Sequence, residues 1–164
     1  MKRGSIFILA AFTLVGCKEV EKPKIVTTEV LHEEVKSVMQ VKEELTSKGF
    51  EIFDYVDEDT KDTVLMQKYF IAFLKKGPNR LQVKELADSL QGLHMAHLAK
   101  MYKQGFADIS GPFGDDGDIR GITIYNTPTL EMADSLANAD PMVKAGRLMI
   151  EIHPWWAAKG FSLR

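Results

Sequence analysis

His94 and His97 lie three residues apart in a stretch whose apolar spacing predicts a helix, so both imidazoles can share one side of it. An imidazole titrates near neutral pH and works as a general acid or base when a carboxylate orients it. His97 continues the row Leu86, Leu90, Leu93, which the spacing turns toward a sheet. The competing reading of His97 is a core histidine satisfied by its packing neighbours. Metal binding is a second chemistry, because His94, His97 and His153 could converge with an acid. Zinc-binding helices usually offer histidines four apart, so no metal is assigned. Asp115, Asp116 and Asp118 invite calcium, but no glutamate closes the loop at the required distance, and a solvated turn fits them better. Trp155 and Trp156 read as apolar cover for a sheet edge or a subunit contact before they read as a ligand wall.

Other chemistries lack their motifs. There is no G-x-S-x-G elbow, no G-x-x-x-x-G-K phosphate cradle and no G-x-G-x-x-G, so the corresponding hydrolases, kinases and nucleotide-dependent enzymes are disfavoured and no cofactor is called for. The single cysteine, Cys17, closes the box Leu14-Val15-Gly16-Cys17 behind Lys2, Arg3 and the apolar run Ile6 to Val15. That pattern predicts a lipoprotein signal over residues 1–16, with acylation (palmitate among the chains) at Cys17 and a mature chain held at the membrane by its lipid. Lys18 is not the aspartate that commonly retains lipoproteins at the inner membrane, which points to the outer membrane. Without Lys2 and Arg3, 19 basic residues face 23 acidic ones, a net charge of −4. A mildly acidic chain with no basic stripe excludes a nucleic-acid partner. Hydrophobic residues make up 45% of the sequence, enough for one compact core.

The elements that must position these residues follow in order. Residues 17–26 are a charged tether. Residues 27–66 form an extension: one amphipathic helix from Thr27 to Lys48, on Val30, Val35, Val38, Val41 and Leu45, then a strand from Phe50 to Val56. Residues 67–157 form the main domain and 158–164 a tail. Within the domain, Gln67 to Lys75 reads as a buried strand and Gln82 to Gln104 as the longest helix. Phe106 to Ser110 and Arg120 to Tyr125 form a hairpin around the acidic turn. Thr127 caps a helix that starts at Pro128 and runs to Asn138, and Arg147 to His153 is a last strand stopped by Pro154. The order β-α-β-β-α-β predicts an α+β, ferredoxin-like fold, an antiparallel sheet with both helices on one face. Its bare face needs a cover, and a second subunit would provide it.

The strand QKYFIAFLK, the helix HMAHLAKMYKQG followed by FADISGPFG, the strand GITIYNT, the stretch MADSLANADPMVKAGRL and the ending EIHPW together resemble the YciI-like (YCII-related) family of dimeric α+β-barrel proteins. The resemblance spans Gln67 to Trp156. It implies a cleft beside the sheet in which a histidine of the first helix meets an aspartate. On this sequence those are His97 and Asp140, the catalytic candidates, with Ser110, Gly111 and Pro112 at the strand end lining the cleft. Arg147, after the matching Ala-Gly, is implied as an anchor for an anionic substrate group, and His94 is an addition near the site. One activity known in the family removes chloride from a chlorinated hydroxyquinone, so the implied chemistry is lyase-like acid–base catalysis on a small cyclic or carbonyl compound. The tether, helix and strand before residue 67 depart from the family pattern and raise a second reading, a non-catalytic envelope protein whose cleft holds a ligand or is filled by the extension.

Overall fold

The computed structural model describes residues 36–161 and Leu163. The chain divides into two units, residues 1–34 and 35–164, and every described residue belongs to the second. The expected signal, the lipid-attachment Cys17, the tether and the first part of the 27–48 helix lie outside the described residues.

The first helix, α1 (Val38–Ser47), starts where its cap dictates. The Ser37 backbone is extended, its Oγ accepts from the Gln40 amide, and the Gln40 side chain accepts from the Ser37 amide at 2.8 Å. This reciprocal capping box satisfies donors that the first helical turn leaves free, so the helix cannot run unbroken from Thr27 as its valine spacing suggests. After it come β1 (Ile52–Val56), β2 (Thr63–Lys76), α2 (Lys84–Lys103), β3 (Ala107–Pro112), β4 (Ile119–Tyr125), α3 (Leu130–Asn138), α4 (Pro141–Lys144) and β5 (Leu148–Ala158).

All strand pairs are antiparallel. The long β2 pairs along one edge with β5, and its other edge is shared in series by β1, opposite Thr63 to Gln67, and β4, opposite Phe70 to Lys75. Strand β3 pairs on the far side of β4. From β2 onward the order β5-β2-β4-β3 is that of the ferredoxin-like split motif, and the α+β class is as the element order predicts.

Side chains alternate across a strand, so Phe70, Ala72 and Leu74 share one face of β2. They meet Leu90 and Met101 of α2, Ala133 and Ala137 of α3 and Met142 of α4, in two apolar clusters completed by Tyr125, Ala107 and Leu148. The opposite face carries Ile71, Phe73, Ile122, Ile124 and Trp155, none of which joins the clusters packed under α2, α3 and α4.

Three local expectations are corrected. Thr127 does not cap α3: its hydroxyl donates to the Thr129 carbonyl, and Thr129 caps the helix by accepting from the Met132 amide. Pro154 does not stop β5, which continues to Ala158 opposite Met66. A proline fits an edge strand when its missing donor faces away from the partner. The row Leu86, Leu90, Leu93, His97 is not the buried row of α2. Leu86 and Leu93 are about half exposed, while Leu90, His94 and Met101 are buried.

Candidate active site

Rotating α2 onto Leu90 and Met101 brings His94 inward and changes which histidine meets the acid. His94 Nδ1 lies 2.6 Å from Asp140 Oδ2, with both side chains nearly enclosed. An ionised carboxylate only accepts, so Nδ1–H donates and Nε2 is left for a ligand. The pair expected between His97 and Asp140 is therefore corrected to His94 and Asp140. One turn later on the helix, His97 is half-buried, and its Nε2 is enclosed with no hydrogen-bond partner among the described residues. Burial pushes the His97 imidazole below its usual range, although Asp140 and the Leu136 carbonyl act in the opposite direction. Desolvation outweighs the attraction of Asp140 here, because His97 makes no direct bond to that carboxylate.

Asp140 is held from two sides. It is the N-cap of α4, with Oδ1 accepting from the Met142 amide at 2.8 Å while Oδ2 takes the imidazole. Pro141, at the first helical position, has no N–H to lose, so Asp-Pro is a compact start for so short a helix. Burial alone would raise the carboxyl. The bonds from His94 and Met142 and the field of the two imidazoles outweigh it and keep Asp140 below the usual carboxylate range. The same charge, added to burial, pushes the neighbouring Tyr125 phenol up.

His94 lines a cavity of about 390 Å³ between α2, the β3–β4 hairpin and the start of β5. Ser110, Gly111, Pro112 and Arg147 line it too, so the structure brings five of the residues singled out from sequence to one place. Gly121 permits the close approach here, since a Cβ would sit 2.6 Å from the Gly111 carbonyl oxygen. Ser110 Oγ lies 3.0 Å from Thr123 Oγ1 across the hairpin. Leu74, Leu98 and Met142 supply apolar walls. No residue of α1 or β1 lines the cavity, so the described part of the extension does not fill it.

His153 stands on the other face of the sheet, opposite Ile71. Among the described residues no three of His, Cys, Asp and Glu are grouped to hold a metal. The acidic turn is held by Arg120, whose guanidinium donates to the Asp115 and Gly117 carbonyls and pairs with Asp116 at 3.4 Å. Trp155 packs on Tyr69 and Trp156 on Phe53, and neither lines the cavity. Sequence reasoning missed Arg80, Gln91 and Arg120 as lining residues, and α4 altogether. The Asp140-Pro141 pair was the available signal for that helix.

No protein-family model matches the chain, and no curated protein does. A similar solved structure is 5-chloro-2-hydroxyhydroquinone dehydrochlorinase from Burkholderia phenoliruptrix in complex with 2,5-dihydroxybenzoquinone. It is 22% identical with a TM-score of 0.41, over 53% of this chain and 92% of that one. A likeness so distant carries no argument about chemistry here.

Proposed function

We propose that the chain is a YciI-like acid–base catalyst, lyase-like in chemistry, in which His94 Nε2 moves a proton on a small cyclic or carbonyl compound and Asp140 orients the ring. The observation that carries this reading is the buried 2.6 Å bond from His94 Nδ1 to Asp140 at the wall of the cavity. The carboxylate fixes the tautomer and offsets the charge that forms on the imidazole during transfer. Ser110 is placed to bond a substrate oxygen. His97, behind the cavity, is a packing residue.

Deuterium wash-in from D2O tests the reading on a panel of cyclic ketones and hydroxylated quinones. Exchange above buffer is expected with the full chain, and His94→Gln should lower it by about a hundredfold or more, the usual scale of a general base. No exchange with any member, or exchange indifferent to His94→Gln, overturns it.

Acylation at Cys17 and outer-membrane attachment complete the proposal, supported by the box and its flanks. Among the described residues no helix is long and apolar enough to cross a membrane. Cys17→Ser should release the protein from membranes and abolish acyl labelling. A homodimer through the face opposite α2, α3 and α4 is supported by its apolar content, with Trp155 and Ile109 each more than a third exposed. Light scattering showing a strictly monomeric mass at all micromolar concentrations would refute it.

A further inference from the structure

Two arginines line the cavity beside His94, and their placement names the class of compound that fits it. Arg80 Nη1 donates to the Arg147 carbonyl at 3.0 Å, and Arg147 Nη1 donates to Gln82 Oε1 at 2.9 Å and toward the Arg80 carbonyl at 3.5 Å. The two side chains thus brace each other's backbone and leave further N–H donors without a partner among the described residues. Among the described residues no carboxylate lies within ion-pair distance of either guanidinium. Arg120, which also lines the cavity, differs, since the acidic turn already takes its charge.

The backbone under the two arginines is stitched together. Gly77 N donates to the Arg147 carbonyl at 3.0 Å and Asn79 N to the Gly146 carbonyl at 2.9 Å, and the Asn79 side chain donates to the Ala145 carbonyl at 3.1 Å. Gly77 allows this approach, because a Cβ there would lie 2.2 Å from the Gly146 oxygen. The seam fixes two planar forks at one end of the cavity. Among the described residues no carboxylate lines the cavity, and that of Asp140 beside His94 is already committed to His94 and Met142. The unneutralised charge lining the cavity is therefore positive.

We propose that Arg80 and Arg147 form a clasp for a carboxylate, and that the ligand is a monocyclic carboxylic acid. Its ring lies on Leu74, Leu98 and Met142, and its reacting atom meets His94. Arginine forks match the planar, two-oxygen geometry of a carboxylate, and a cavity of about 390 Å³ is at the small end for ligand sites. This rests on the acid–base reading for the identity of the site, and goes beyond it in naming the substrate's charge.

Salicylate and its uncharged counterpart salicylamide are the probes, titrated calorimetrically into the full chain in detergent. Salicylate should bind at least about tenfold tighter than salicylamide, a preference weakened by salt. Arg80→Gln and Arg147→Gln should each remove it, and Arg80→Lys should restore part of it. Thermal melts confirm that each variant is folded, and Arg80, being exposed, is the safer of the two sites. Equal binding of the two probes, no binding of either, or a preference that survives both glutamine variants overturns the clasp. The binding arm involves no turnover, so the two readings fail separately. Proton exchange on neutral ketones without any salicylate preference sinks the clasp alone. A clear preference with no His94-dependent exchange sinks the catalyst alone.

Discussion

The two faces of the sheet each carry a histidine–carboxylate pair, and the pairs differ in what surrounds them. Under the helices His94 and Asp140 are 2.6 Å apart with side chains 10% and 3% exposed, whereas on the opposite face His153 and Glu151 are 2.9 Å apart and 57% and 50% exposed. Both carboxyls are held below their usual range. For Glu151 the bond from His153 is the first cause and that from Lys75 the second, with little burial to oppose them. For Asp140 burial is the largest influence and acts the other way, so its partners must overcome it. An imidazole and a carboxylate thus make a solvated, salt-screened contact on one face and an enclosed, oriented pair on the other. Enclosure, rather than residue type, separates them.

The largest expected effect comes from breaking the enclosed pair. Asp140→Ala removes the α4 cap and leaves the His94 and Met142 N–H donors unsatisfied inside the protein, and should cost about 3 kcal/mol in urea denaturation. Asp140→Asn keeps a capping oxygen and should cost less. If Asp140→Ala unfolds at the wild-type urea midpoint, the pair is not enclosed in solution and the contrast between the faces collapses.

Next in size is Gly77→Ala, which tests whether the seam that carries the arginines is as rigid as the contact implies. One methyl against the Gly146 carbonyl forces the β2–α2 connection away from the start of β5, at about 2 kcal/mol. Salicylate preference should fall with it while the His153–Glu151 face is unaffected. Retained preference at wild-type stability would show that the arginines do not depend on that close approach.

The sequence discloses the helix-covered face in outline and errs on the rotation of one helix. Alternation in β2 and β5, glycines at the ends of elements and the hairpin around Asp115 to Asp118 all carry local signals that survive folding. Leu86 and Leu93 do not, because the spacing of leucines says that α2 is amphipathic without saying how it turns once α4 packs beside it. That turn exchanges His97 for His94 as the partner of Asp140. Arg80 and Arg147 come together through backbone bonds between segments far apart in sequence, and no spacing rule reaches across such a distance. The strand Leu148–Ala158 ran past Pro154 because edge position, a property of the sheet, decides what a proline may do.

His97 sharpens the contrast through pH. Its folded pKa is lowered, so the unfolded chain binds a proton more readily than the folded one. Stability from this residue is complete above the unfolded value, near 6.5, and is lost as pH falls from there toward the folded pKa. Asp140, also lowered but from the carboxylate range, adds its own loss only below about pH 4. Urea midpoints from pH 7.5 to 5 should therefore decline in the wild type and decline less in His97→Leu. Parallel curves would mean that His97 is solvated, and would return it as a candidate for the cavity's chemistry.

The smallest effect is expected from Glu151→Gln, and its dependence on protein concentration makes it informative. In dilute protein the pair with His153 is open to water, so its loss should leave the thermal midpoint unchanged and insensitive to salt. If two copies associate through the face that carries it, the pair and its neighbour Lys75 enter an interface flanked by Ile71, Phe73 and Trp155, where water no longer screens them. The substitution should then lower the midpoint only at concentrations where light scattering reports a dimer. A destabilisation already present in the dilute monomer would mean that something within the chain covers this face, and the two pairs would no longer stand in different surroundings.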